Sequence, residues 1–315
     1  MKENGGIDIQ TKRQEWKKII RETVVRTNAR RQLIDKLFTA VTIACIAAAM
    51  IPLGSILLEV VKNGAGAIDA DFLMQPQGSI TAGDGGIAPA IQGTLLVVAL
   101  ASLIGIPTGV LGGIYLSEYT QGSGNKFARV VRFFNNVMTG LPSIVIGIVG
   151  YTVLVLTIGS FNITAGAVAL SMIMIPIIIG VTEETLKLVP NSVREAGHSL
   201  GIPKWKVTIF ITLLAAKSGI MTGIGLAISR IAGETAPLIM TILGTSLFFE
   251  GFSGPVDALP LRIWRLASLP YEHAHSFGWG AALILILIVL SLSVVLRYVV
   301  SRRTSGKHVS ASLKL

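Results

Sequence analysis

A chain of 315 residues is long enough for about two soluble domains at roughly 150 residues each, but its composition excludes them. Hydrophobic residues make up 51%, charged residues only 14%, and mean hydropathy is +0.69, whereas a soluble domain carries about 25% charge. The same figures exclude a disordered chain and a coiled coil, and the single cysteine, Cys45, excludes a disulfide scaffold. The net charge of +10 has to be located before it can be interpreted.

Residues 1–37 form a basic segment in which Trp16, Ile19, Ile20 and Val24 recur at helical spacing between Lys17, Lys18 and Arg21. That pattern predicts an amphipathic helix lying at the inner membrane surface; a solvated juxtamembrane tail is the alternative. Because this charged segment precedes the first apolar run, no cleavable leader is expected, and residues 38–61 read as an uncleaved first span. A loop at 62–90 follows, then a membrane core at 91–300 and a tail at 301–315. A span needs about 20 mostly apolar residues. Within the core, Ile91 to Ile114, Val137 to Ile158, Ile163 to Val181 and Gly278 to Leu296 meet that requirement. The stretch from Val207 to Phe249 is apolar but interrupted by Lys217, Arg230 and Glu234, so it could cross once or twice.

The positive-inside rule decides the count. Segments 1–37, 115–135, 182–206 and 297–315 hold twenty-two Lys and Arg residues, against three in 62–90, 159–162 and 248–277. This alternation holds only if Val207 to Phe249 crosses once. The expected architecture is therefore all-α and integral to the membrane, with six spans and both termini cytoplasmic. Asp84 and Asp257 then fall in extracytoplasmic loops. The basic excess is a topology signal, and no nucleic-acid module accompanies it.

No GxxxxGK[ST] phosphate loop occurs, so ATP hydrolysis by that chemistry is expected on a separate chain. Four scattered histidines do not make a metal site, and no cofactor or catalytic residue is expected. Glycines recur within the spans at Gly105, Gly109, Gly112, Gly113, Gly140, Gly147 and Gly150, and prolines at Pro107, Pro142, Pro176 and Pro237. Small residues permit close helix approach and prolines permit bending, which suits a bundle whose helices shift during transport.

Two segments carry chemistry. The first is the cytoplasmic loop 182–206, where Pro190 and Asn191 offer a helix start and Gly201 with Pro203 a stop. A short capped helix is expected there, containing Glu195, Ala196 and Gly197. It could be an ordinary connection or a docking element. The second runs from Ser229 to Leu238, where Arg230 and Glu234 lie four residues apart, near the middle of a span. On one helix they would share a face about 6 Å apart along the axis. A charge in the membrane centre costs at least about 2.5–3.5 kcal/mol, so such residues usually face a cavity. A purely structural ion pair is the other reading.

The sequence Glu195-Ala196-Gly197, then Gly201, then Ile211-Thr212-Leu213 nine residues on, resembles the EAA motif of the permeases of bacterial ABC importers. It departs twice, with Gly197 in place of the usual second Ala and Leu214 where Pro is usual. The resemblance implies the type-I importer permease fold and docking of this helix, through Glu195, Ala196, Gly197 and Gly201, into a groove of the ATPase. The stretch Ser229 to Ile239 is similar to the phosphate-specific permeases of that family. So are Gly85-Gly86-Ile87 with Gly93-Thr94, Leu141 to Gly147, Thr182-Glu183-Glu184 and Val189-Pro190. This similarity runs from about Gly85 to the last span and leaves residues 1–37 uncovered.

It implies import of inorganic phosphate by a heterodimer with a second, homologous permease. An ATPase dimer on the cytoplasmic side, an extracytoplasmic phosphate-binding protein and surrounding membrane lipid complete the expected partners; nucleic acid is not among them. Arg230, Glu234 and Thr235 become the expected substrate path. A guanidinium stays charged and its planar fork offers two hydrogen bonds to phosphate oxygens, while Glu234 would serve as its partner when the anion is absent. Another oxyanion, sulfate or molybdate, on the same fold is the nearest alternative, and a non-transporting membrane scaffold a more distant one.

Overall fold

The computed structural model describes residues 5–78, 84–120 and 125–305. Side chains are described from residue 31, with Trp16 before it, up to Leu296 and at Tyr298. Thirteen α-helices and no extended strand occur among the described residues. The chain divides into two units, residues 1–59 and 60–315.

The first unit is most of one helix, α1 (Gly5–Gly64), which runs without a break through residue 37. The basic segment and the first span are thus one continuous helix. Trp16 is exposed, while the side chains of Ile19, Ile20 and Val24 lie outside the described residues. From Leu33 to Leu58 the apolar side chains point outward, as a helix does whose partner is lipid.

The second unit is the bundle. After the short α2 (Ala70–Met74) comes α3 (Ala88–Glu118), which packs along α7 (Ile163–Lys187). Glycine makes that contact possible: a Cβ at Gly105, Gly109 or Gly113 would lie 2.5–2.9 Å from side-chain atoms of Met174, Ile178 and Thr182. These pairs rise together in number, so α3 and α7 run parallel. α10 (Leu213–Ala232) packs on α7 in the opposite sense, with Gly219 against Thr185 and Gly223 against Val181. Around these three helices the main core gathers, including Val97, Leu170, Met174, Ile220 and Ile231. The last span, α13 (Glu272–Ser305), packs on α10, where Ser229 and Ser293 share a 2.9 Å hydrogen bond. Residues 306–315, most of the expected tail, lie outside the described residues.

Five helices are long and apolar enough to cross a membrane, and a sixth span is possible if a bent pair counts as one. That pair is α4 (Lys126–Gly140) and α5 (Ser143–Gly150), the latter continued by a π-turn at Tyr151–Val155 and by α6 (Leu156–Ile158). The span expected between Val137 and Ile158 falls on this pair, which is bent by 106°. Pro142 is the reason. Proline clashes with an α conformation at the preceding residue, and Leu141 is accordingly extended, with ψ 135°.

The stretch from Val207 to Phe249 contains one spanning helix, as expected, which holds Lys217 and Arg230 and ends before Gly233. A helix runs from α9 (Lys204–Val207) through a π-turn at Thr208–Thr212 and α10 to Ala232. The chain then opens at Gly233–Thr235 and forms the short α11 (Ala236–Thr241), which packs on α5.

Opposite the α8 end described below, α12 (Leu259–Ala267) caps the bundle. Asp257 is not loop-exposed but fully buried, and receives a 2.6 Å hydrogen bond from Nε of the equally buried Arg262. Burial pushes the Asp257 carboxyl up from its ordinary value, while the Arg262 guanidinium pulls it back down. Phe72 and Phe277 meet edge to face nearby, at 5.2 Å between ring centroids.

Candidate functional site

Two places collect the polar groups that the bundle does not use for packing. The first lies inside. The antiparallel register of α10 on α7 brings Arg230 level with Ile173 and Ile177, near the middle of α7. Both broken helices reach the same depth, since Gly147 of α5 lies against Pro237 at the start of α11. Between them is a cavity of about 370 Å³ lined by Met138, Thr139, Ser143, Ile173, Leu226 and Arg230, among others.

Arg230 occupies the last turn of α10, and its side chain is 60% exposed. Because α10 ends at Ala232, Glu234 is not on the same helix face as expected; it sits in the break, 15% exposed. The chain turns there so that Arg230 Nη2 and Glu234 Oε1 still come within 3.6 Å. At that separation the contact is ionic and beyond a good hydrogen bond. Arg230 is therefore held loosely and keeps donors free towards the cavity. Thr235 is half-buried at the start of α11, where its carbonyl accepts the Ile239 amide. Neither Glu234 nor Thr235 lines the cavity. Thr139 and Ser143 were not singled out by spacing. The usable signal was Pro142, which breaks the span beside them.

The second place is at one end of the bundle. After Pro190, α8 (Asn191–Ser199) forms the short helix expected in the loop. Gly201 follows with φ +73°, the left-handed conformation that ends helices and favours glycine. Glu195, Ala196, His198, Ser199 and Leu200 are exposed, Leu200 at 79%. Gly197 is buried, and a Cβ there would lie 3.0 Å from both Ile211 Cδ1 and Val207 Cγ2. The departure from Ala at this position thus lets α8 seat closely on the start of the following span. Glu195 and Ala196 present outward, Gly197 supports them from beneath, and Gly201 terminates the helix.

Two arginines that sequence spacing did not flag bind this end together. Arg132 of α4 donates to Glu183 Oε1 at 2.9 Å, to the Leu116 carbonyl at 3.0 Å and to Thr120 Oγ1 at 3.2 Å. Arg194 of α8 is buried against Glu118. Single charges in polar loops look alike in sequence, and only the fold reveals which are buried. Among the described residues no group of His, Cys, Asp and Glu could hold a metal ion.

An all-helical bundle with interrupted spans, an internal arginine and a presented terminal helix defines a membrane permease. Residues 105–305 match the family described as binding-protein-dependent transport system inner membrane component. The chain is 41% identical over 223 residues to the phosphate transport system permease protein PstA of Yersinia pestis, covering 71% of this chain and 75% of that one. It is 35% identical over 272 residues to a probable PstA of Methanocaldococcus jannaschii, covering 86% and 95%. Among solved structures, a chain of the MetNI methionine ABC transporter in an inward-facing conformation superposes with a TM-score of 0.55 at 18% identity, over 69% of this chain and 94% of that one. A chain of a bacterial ABC transporter involved in alginate import gives 0.57 at 13% identity, over 85% and 99%. This chain belongs to the binding-protein-dependent inner membrane components and, within them, to the PstA permeases. It is a multi-pass inner membrane protein and a transport subunit.

Proposed function

We propose that this permease carries inorganic phosphate across the cytoplasmic membrane, with Arg230 as its mid-membrane contact and Glu234 and Thr235 beside the path. The supporting observation is a loosely paired arginine facing a cavity of about 370 Å³ between two broken spans. That volume falls within the range of small-molecule sites, about 300–1,000 Å³. An Arg fork alone fits any tetrahedral oxyanion, so sulfate and molybdate are the competing substrates. The similarity to phosphate transport permeases favours phosphate among them.

In this reading both termini are cytoplasmic, residues 38–61 and the core at 91–300 are the membrane part, and 301–315 is a cytoplasmic tail. The chain works as a heterodimer with a second, PstC-like permease. An extracytoplasmic binding protein delivers phosphate, and a cytoplasmic ATPase dimer, which supplies the hydrolysis, docks on Glu195, Ala196 and the residues around Gly197 and Gly201. Uptake of radiolabelled phosphate, sulfate and molybdate by cells with and without this chain tests the assignment. Phosphate uptake alone should depend on it; equal dependence of sulfate uptake would overturn the substrate.

A further inference from the structure

The docking helix seats on the following span at Gly197 and is tied by polar contacts to α3 and the end of α7 through one side chain, Arg194. Arg194 lies on the inner face of α8 and is only 8% exposed. A guanidinium has five N–H donors in a rigid plane, and here each meets an acceptor. Nε donates to Glu118 Oε2 at 3.1 Å, and Nη2 to Glu118 Oε1 at 2.8 Å and to the Leu186 carbonyl at 2.7 Å. Nη1 donates to the Val189 carbonyl at 2.6 Å and to Asn191 Oδ1 at 3.2 Å. Glu118 is the last residue of α3, Leu186 lies in the last turn of α7, and Val189 lies two residues past its end. The carbonyls at a helix end have no partner within the helix, so Arg194 caps α7 while forming a bidentate ion pair with α3.

We propose that Arg194 and Glu118 form the joint through which force on the docking helix reaches the membrane core. The inference rests on α8 being the ATPase docking element and concerns what lies behind that surface. Without the joint, α8 rests on the core only through Val193 and the Gly197 seat on Val207 and Ile211, apolar contacts that are non-directional, so a push on it would reach α3 and α7 with more slip. With it, α8 moves together with α3 and α7, the most extensively packed pair in the bundle. α7 in turn carries Ile173 and Ile177 at the level of Arg230. Arg194 is thus a positioning residue for transport. Lysine cannot replace it fully, because an ammonium has three donors and no planar fork.

The test uses the assembled complex in proteoliposomes, measuring ATPase retained on purification, ATP hydrolysed and radiolabelled phosphate imported. Arg194→Gln strands Glu118 in a buried site and could fail to fold, so Glu118→Leu/Arg194→Met is made beside it. Replacing a buried ion pair by apolar groups of similar size often leaves stability intact, yet it removes the tie to the α7 carbonyls. The double variant should retain the ATPase while ATP spent per phosphate imported rises about tenfold, an ordinary magnitude for loss of coupling between sites. Arg194→Lys should fall between it and wild type. A wild-type ratio in the double variant would overturn the joint, and so would loss of the complex in both the double variant and Arg194→Lys, which would make the pair purely structural. Leu200→Glu, on the exposed face, separates the underlying reading. It should lower ATPase retention with an unchanged ratio in the complexes that remain, and full retention would mean that the ATPase docks elsewhere.

Discussion

Arg230 is tolerated inside a span because a partner is near, and stays available because that partner is not close. Its 3.6 Å approach to Glu234 lowers the cost of the charge without consuming the donors. Arg230→Gln removes a charge-assisted contact worth about 1.5–3 kcal/mol, so phosphate uptake per assembled complex should fall roughly 10- to 100-fold. Arg230→Lys should recover part of it, since the charge remains but the fork does not. Glu234→Gln leaves the arginine unopposed, so phosphate should dwell longer and turnover fall while assembly is kept. If the pair were only structural, the double change to Gln would restore uptake. Wild-type uptake in that double variant, measured against complex abundance, would remove both residues from the path.

At the scale of the element, the two sites depend on where helices stop. Pro142 stops α4 and the Gly233–Thr235 break stops α10, and the space between the ends is the cavity. Gly201 stops α8 and leaves Leu200 presented at its tip. A β-branched residue in the left-handed conformation is strained by about 1–2 kcal/mol. Gly201→Val should therefore unseat the end of α8 and reduce ATPase co-purification by a factor of roughly 5–30. The permease itself should still insert, because a Cβ at this position meets nothing within 4 Å. Co-purification at the wild-type level in Gly201→Val would show that the helix end does not shape the docking surface.

For the whole molecule the testable quantity is topology. Asp84 and Ser253 are exposed at the end opposite α8, and Lys126 and His198 are exposed at the α8 end. With Cys45 replaced, single cysteines at Asp84 and Ser253 should react with an impermeant thiol reagent in intact cells. Those at Lys126 and His198 should react only after the membrane is opened. Asp257 would be a poor probe, since its carboxylate is buried and paired with Arg262. Labelling at Lys126 from outside would overturn the orientation with both termini in the cytoplasm.

The order of the spans, the short helix at Asn191–Ser199 and the place of Arg230 within a span could be read from the amino-acid sequence. Each depends on local composition or on chain-neighbour chemistry: apolar length, basic loop bias, a proline start and glycine stop, and a charge where lipid forbids one. Gly105, Gly109 and Gly113 marked a face for close helix approach, but that α7 is the helix they meet came only with the fold. Other features needed the tertiary structure. That α5, beyond the 106° bend at Pro142, packs against α11 was not legible, since the contact joins segments some ninety residues apart. Glu234 leaves the helix that spacing assigned to it and still meets Arg230, because the turn at Gly233 brings it back. Arg194 and Glu118 are separated by 76 residues, and nothing in either neighbourhood marks them as a pair. Burial of a charge is a property of the surroundings that the folded chain supplies, so the joint between the docking helix and the membrane core was decided only by the packing of α3, α7 and α8.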